Sequence, residues 1–208
     1  MIVITADQVD SRNSADLVSQ TTARLEETFG EGLALPVDRN AGDEIQALII
    51  DADTAIGIVL DLTRTGSWSV GLGVGSVEQP LGRTTREARG PAFIAARAAV
   101  ESAKKSPHRF ACRSEGPSNT ADAADLEALM LLLLSVRERR TKQGWQVYDL
   151  LAQGRTQREA AGHLGITPQA VSDRMSVAQV KIDLEAHAPL GRLLSRLDST
   201  DESPEGRA

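Results

Sequence analysis

Residues 156–175 read TQREAAGHLGITPQAVSDRM, and no other stretch of the chain restricts its fold so tightly. Thr156 followed by Glu159 three positions on is the signature of a capping box, in which side chain and backbone satisfy each other's hydrogen bonds at a helix start. Ala160, Ala161 and Leu164 then fall on one helical face. Gly165 supplies a residue able to turn left-handed and end that helix. Thr167 caps a second helix, with Pro168 at its first position, where a missing N–H costs nothing. Val171 and Met175 are i, i+4 partners, and Ala178 and Ile182 extend the same apolar stripe. Ala161 is small where the two axes cross. So tight a turn predicts that the second helix lies across the first and projects from the surface.

The remaining face of that second helix carries Gln169, Ser172, Asp173, Arg174 and Ser176. An ordinary hairpin buried in a core would share the apolar stripe, but this outer face is short, polar and rich in hydrogen-bonding groups. The chain is acidic overall, with a net charge of −6, yet residues 137–181 hold 8 Lys/Arg against 4 Asp/Glu. A basic island in an acidic chain is the footprint of a phosphate-binding surface, and equally of a solvated helical face. The pair is a helix-turn-helix pattern, and residues 155–182 resemble the LuxR and sigma-factor region 4 type. That resemblance implies double-stranded DNA as partner, with the second helix in the major groove. Gln169 suits adenine, Asp173 the N4 amine of cytosine, and Arg174 guanine or a phosphate. Ser172 and Ser176 complete the reading face. Arg155, Arg158 and Lys181 flank it and suit the phosphate backbone, as do the helix starts capped by Thr156 and Thr167. Upstream, WQVYDLLAQG reads as a support helix whose Trp145 and Tyr148 fill a small core.

The first half of the chain reads differently. MIVITAD is a buried strand ending near Asp7, and residues 11–30 space their apolar positions as a helix capped by Ser11 or Asn13 and closed by Gly30. LALPVD is a short edge strand, RNAGDE a turn, IQALII a strand, and DADTAIGIVLDLTR a helix with an acidic first turn. SWSVGLGVGSVE is a strand whose glycines invite close packing; with no GK[ST] following, GLGVG is not a phosphate loop. TTREARGPAFIAARAAVESAKK is an Ala-rich helix that Gly90 and Pro91 delay or kink, and RFACRS is a last strand. The order is β-α-β-β-α-β plus a further helix and strand. That predicts a split-βαβ, ferredoxin-like plan, an antiparallel sheet with helices on one face. SEGPSNTADAAD marks the boundary to an all-helical remainder, in which MLLLLS offers an apolar stripe for dimerisation or for packing between domains.

A second constellation lies in AGDEIQALII. Asp43 and Glu44 sit in the hairpin turn, and the fold brings Asp7 beside them. Such carboxylates would hold Mg²⁺, a hard cation, which could position a nucleotide triphosphate. The AGDEI turn resembles the hairpin of GGDEF diguanylate cyclases and, more distantly, class III nucleotide cyclases. TADQVDSR, GDEIQALI, GLGVGSV and GPAFIAARAAV together resemble the SatD family over most of residues 1–115. These resemblances imply a cyclase-like palm with metal ligands Asp7, Asp43 and Glu44, and Arg12 and Arg97 near a nucleotide ligand. The departures are Ala41 in place of the first glycine, no lysine following Asp10, and Phe93 four residues before Arg97. With fewer groups to stabilise phosphate charge, a catalytically retired palm kept for sensing or dimerisation is the expectation. A purely structural role is the alternative, with the carboxylates building the turn, Asp7 and Ser11 capping the first helix, and Arg12 and Arg97 forming ion pairs.

The fold class expected is therefore α+β: a ferredoxin-like, nucleotide-cyclase-like palm over residues 1–115, an all-α helix-turn-helix domain over 122–198, and a disordered tail over 199–208. No stretch has the length of a membrane span. The lone Cys112 and the absence of a leader-like start fit the cytoplasm. A single reading helix buries little surface, so a homodimer on a two-fold-related operator is expected. The function expected is transcriptional regulation by sequence-specific DNA binding. A metal-dependent nucleotidyl cyclase or nucleotide hydrolase, and an RNA polymerase-interacting adaptor, are the competing expectations.

Overall fold

The structure is a computed structural model describing residues 1–40, 42–115 and 119–199. Ala41 and residues 200–208, on which the glycine replacement and most of the expected tail fall, lie outside the described residues. The element order is β1 (Ile2–Gln8), α1 (Val18–Phe29), β2 (Asp38–Arg39), β3 (Glu44–Ile49), α2 (Ala52–Leu62), β4 (Trp68–Val74), α3 (Pro91–Ala103), β5 (Phe110–Ser114), then α4 (Thr120–Glu138), α5 (Lys142–Ala152), α6 (Gln157–Leu164), α7 (Pro168–Val177) and α8 (Val180–Ser199). The chain is an α+β protein, with a five-stranded mixed sheet followed by an all-helical region. Among the described residues no helix is long and apolar enough to cross a membrane.

The strands lie in the order β2-β3-β1-β4-β5, with β1 antiparallel to both β3 and β4. The expected antiparallel sheet is corrected at its edge, where β5 pairs parallel to β4. The expectation of helices on one face is corrected too. Ile2, Ile4 and Ala6 of β1 and Val70, Leu72 and Val74 of β4 point into one core with residues of α2, α4 and α8. The alternate positions face α3, as the period-two alternation of a strand requires. Val3 and Leu48 pack with Ala92 and Ala96 of α3. The reason α3 sits on this second face is shape. A Cβ on Gly71 would lie 2.2 Å from the Val100 backbone nitrogen, and one on Gly73 would lie 2.2 Å from that of Ala96. The glycines of β4 form a shallow bed, and the Ala-rich helix lies in it backbone to backbone.

Three local expectations shift. α1 begins at Val18, not near Ser11 or Asn13, because the buried Gln8 amide organises the preceding loop: it donates to Ser14 Oγ (2.9 Å) and the Ala15 carbonyl (2.7 Å), and accepts from the Leu17 N–H (2.9 Å). The strand expected in LALPVD shrinks to β2, since Pro36 has no N–H for a ladder and only Leu33 makes an isolated bridge, to Ile49. α3 starts at Pro91, with Gly90 as its N-cap at φ 138°, so Gly90–Pro91 delays the helix and does not kink it.

α4 and the second half of α8 belong to the sheet's core. Leu126, Met130, Leu133 and Leu134 of α4 join Leu190, Leu194 and Leu197 of α8 against α2 and the strands. The helices approach closely at Gly191, where a Cβ would meet Asp53 Oδ1 at 2.0 Å. The cluster of Val147, Leu150, Ala160, Ala161 and Val171 is separate and holds α5, α6 and α7 together.

Candidate nucleic-acid interface

α6 and α7 are built by local rules. The Thr156 hydroxyl accepts from the Glu159 N–H at 3.3 Å while the Glu159 carboxylate accepts from the Thr156 N–H at 2.7 Å, completing the capping box. The Thr156 backbone N–H, with the Thr156 hydroxyl second, holds the Glu159 carboxyl below its ordinary pKa. Gly165 takes φ 65°, ψ 32°, and the Ile166 N–H returns to the Ala161 carbonyl at 3.1 Å. Thr167 then accepts from the Ala170 N–H at 3.1 Å, with Pro168 in the first turn. Val171 is fully buried against Ala160 and Ala161, and Met175 packs beside them. This holds α7 across α6 and leaves its other face outward.

On that face Gln169, Asp173 and Ser176 are exposed, and Ser172 and Arg174 are half-buried. Gln169 Nε2 donates to Asp173 Oδ1 at 2.9 Å, so the amide and the carboxylate present a joined, pre-oriented pair. Arg155, Thr156, Arg158, Thr167 and Lys181 are all exposed. Lys181 is 3.7 Å from Glu185, and Arg174 lines a small groove with Arg139, Thr141 and Val177. The expected stripe is corrected at its end: Ile182 is 56% exposed while Val180 is buried. Gln179 takes φ 52° between α7 and α8, and this left-handed residue resets the helical phase.

Comparison with protein-family models, with curated proteins and with solved structures gives no match for this chain.

The acidic constellation lies on the sheet face covered by α3. Asp7 and Glu44 are direct cross-strand partners in the β1–β3 register. Each already has its own cation: Asp7 Oδ2 is 3.0 Å from Lys104 Nζ, and Glu44 Oε1 accepts from Arg97 Nη2 at 2.9 Å and from Asn40 Nδ2 at 2.6 Å. Burial alone would lower the Lys104 pKa, but hydrogen bonds to Glu101 and Asp7 outweigh it and raise it. Asp43 points elsewhere. Its carboxylate accepts from the Ser11 hydroxyl, and it shares a shallow pocket with Arg12, Asp16 and Arg39. Among the described residues no group of three Asp, Glu, His or Cys side chains could hold a metal ion, so Asp7, Asp43 and Glu44 do not converge as a Mg²⁺ set.

Sequence reasoning missed a cluster of buried charges. Asp183 is fully buried in α8 and accepts from Arg137 Nη1 (2.7 and 2.9 Å), Arg140 Nη1 (2.8 Å) and His187 Nε2 (2.8 Å). Arg137 also donates to the Leu60 carbonyl of α2 at 3.2 Å, and Arg140 Nε to the Ala178 carbonyl at the end of α7 at 3.0 Å. Trp145 and Tyr148 do pack the small core, edge to face at 5.3 Å, but the indole also carries the guanidinium groups of Arg64, Arg140 and Arg137 at 4.1, 4.5 and 4.8 Å. The available signals were the i, i+3 spacing of Arg137 and Arg140 at the end of one helix and the i, i+4 spacing of Asp183 and His187 on another. Neither names its partner.

Proposed function

We propose that this chain is a sequence-specific double-stranded DNA-binding protein, a transcriptional regulator, in which α6 and α7 form a helix-turn-helix and α7 enters the major groove. The observation that carries this reading is the outward face of α7. Gln169, Asp173 and Ser176 stay open to solvent on a helix whose other side is locked by Val171. The Gln169–Asp173 hydrogen bond fixes both groups before DNA arrives, so less ordering is needed on binding. Arg155, Arg158 and Lys181 would hold the phosphates on either side.

We infer that the sheet with α1 and α2 is a ferredoxin-like, cyclase-like palm that does no nucleotidyl chemistry. The order β2-β3-β1-β4 supports the fold. Two features support the inactivity: α3 covers the face bearing Asp7 and Glu44, and Lys104, Arg97 and Asn40 already neutralise or bond those carboxylates. The likeness to the SatD family is part of the same proposal and is carried by the segments quoted above. The assembly proposed is a homodimer acting in the cytoplasm. Leu129 and Leu132, 45% and 65% exposed on α4, are the outward residues of its apolar run.

The test is selection of bound fragments from genomic DNA with the full chain, followed by two variants. Arg158→Ala weakens binding on every sequence alike. Gln169→Ala relaxes the preference at one base pair, costing about 1–3 kcal/mol there. An equal loss on all sequences for Gln169→Ala rejects base reading by that residue, and selection without any sequence enrichment rejects the regulator.

A further inference from the structure

A cavity of about 380 Å³ opens between the sheet and the helical unit. That volume lies within the range of about 300–1,000 Å³ usual for small-molecule sites. Three parts of the chain meet there: the turn of Thr63–Thr65 after α2, the loop through His108 and Arg109 before β5, and the junction of α4 with α5. Its walls carry four guanidinium groups, Arg64, Arg109, Arg137 and Arg140, and both tryptophans of the chain, Trp68 and Trp145.

The charges in this wall do not balance locally. Glu138 is the carboxylate in the lining, and it pairs with His108 Nδ1 at 3.3 Å. Asp149 binds Arg64 through two hydrogen bonds of 2.8 Å, and the single carboxylate of Asp183 serves both Arg137 and Arg140. Arg109 donates to the Ser69 hydroxyl at 3.3 Å and has no carboxylate partner among the described residues. Behind this wall, Arg137 Nε and Arg140 Nη2 are closed to solvent and have no acceptor. Buried guanidinium N–H groups without acceptors are costly, and native structures satisfy nearly all of them. A site with several planar, always-charged forks and too few acids is matched by a ligand with many anionic oxygens in a small volume.

We propose that this cavity binds a small phosphoryl anion of the diphosphate class, held by Arg109 and Arg64 at the rim, with the Arg137–Arg140 pair behind the wall adding positive charge without contact. One carboxylate offers two oxygens roughly 2 Å apart and reaches one side of the cavity at a time. Two linked phosphoryl groups carry enough oxygens to engage the forks from both sides of the cavity at once. The site is independent of the DNA reading: it uses none of the α7 residues proposed to face bases.

Intrinsic fluorescence excited at the red edge of the indole band reports on this site, because both tryptophans line it. Titration of the full chain with pyrophosphate gives a saturable change, confirmed by calorimetry, with orthophosphate weaker and citrate without effect. Two variants locate it. Arg109→Gln removes the cation that lacks an acid partner, and Thr65→Glu places a carboxylate at the exposed rim. Each raises the pyrophosphate Kd about tenfold or more, the loss expected for one charge-assisted hydrogen bond, while circular dichroism is unchanged. A nucleoside triphosphate arm separates a nucleotide from free diphosphate as the source: tighter binding of the nucleotide assigns the base a place beside Trp145, and equal binding assigns the phosphates alone. No saturable change at millimolar pyrophosphate overturns the proposal. So does unaltered binding by both variants, citrate binding as tight as pyrophosphate, or a response to a short DNA duplex but not to pyrophosphate.

Discussion

Replacing Asp183 by Asn tests what ties the helical unit to the rest of the molecule. The substitution keeps the side-chain volume and removes the charge. Two guanidinium groups, 5% and 0% exposed, would then share a neutral amide in place of a carboxylate. A hydrogen bond to a charged group contributes about 1.5–3 kcal/mol. Arg137, Arg140 and His187 all bind the same carboxylate, so these terms do not add. Breaking a buried pair from one side costs about 3–5 kcal/mol, and that is the loss expected in urea unfolding at neutral pH. Acid sharpens the test. Burial alone would raise the Asp183 pKa, but the His187 hydrogen bond and the charges and hydrogen bonds of Arg137 and Arg140 outweigh it, so the folded value lies below the ordinary 3.8. A depressed carboxyl pKa contributes stability that is present above the unfolded value and lost as pH falls through the folded one. The gap between wild type and Asp183→Asn is therefore constant from neutral pH to about pH 5 and closes below about pH 4. The exposed pair Asp16–Arg39 is the control, and Asp16→Asn leaves the urea midpoint nearly unmoved. A loss under about 1 kcal/mol for Asp183→Asn, or a gap indifferent to acid, refutes the argument.

Gly73→Ala places a methyl group 2.2 Å from the Ala96 nitrogen and 2.4 Å from the Ala92 carbonyl oxygen, both backbone atoms that cannot swing aside. A loss of about 1–3 kcal/mol in urea unfolding is expected, and a neutral substitution refutes the close approach of α3 to β4. Gly162→Ala is the contrast: a Cβ there meets nothing within 4 Å in mid-helix, so a gain of about 0.5–1 kcal/mol is expected from the same measurement. Burial first, and the Glu127 charge second, push the Cys112 thiol up to about 12. It therefore resists a thiol-specific disulfide reagent in the folded chain at mildly alkaline pH and reacts fully in denaturant; rapid labelling of the native chain rejects that burial.

What the sequence disclosed depended on how far apart in the chain the interacting groups lie. The caps at Thr156 and Thr167, the turn at Gly165 and the start of α3 at Gly90–Pro91 each rest on residues within four positions of one another. The caps and the Gly165 turn stand in the structure as read, and of the two options at Gly90–Pro91 the structure takes the delay. The glycines of β4 were legible as sites of close packing because a missing Cβ has little other use at alternate positions in a strand. The start of α1 was not legible, because Gln8 reaches back over the loop to set it. The face chosen by α3 was not legible either, since periodicity shows that a helix buries a side but not which sheet face receives it. For the acidic turn, the expected fold brought Asp7, Asp43 and Glu44 together, but the strand register sends Asp7 and Glu44 to the α3 face while Asp43 turns to Ser11. Lys104 as the partner of Asp7, and Asp183 as the partner of two arginines more than 40 positions away, are long-range pairings that no local spacing encodes.

The two cores of the molecule are joined in different ways, and the difference bears on how a ligand could act. α4 and α8 are bound to the sheet by leucines, whose packing resists small displacements. The unit of α5, α6 and α7 is held by a smaller apolar cluster, Tyr148 and Ala178 with Val180 and Leu184 of α8, and by charged points: Arg64 to Asp149 beside Trp145, and Arg140 to the Ala178 carbonyl. A ligand shifts an equilibrium only by as much as it binds one arrangement better than another. Arg64 lines the cavity and also anchors α5 through Asp149, so an anion that reoriented its guanidinium would act on a contact that positions the unit carrying the proposed reading helix. A ligand among the leucines of α4 would have no such lever. If the cavity and the DNA surface are coupled, the coupling runs through Arg64. Arg64→Gln would then abolish any effect of pyrophosphate on DNA affinity, even at pyrophosphate concentrations that restore occupancy of the cavity.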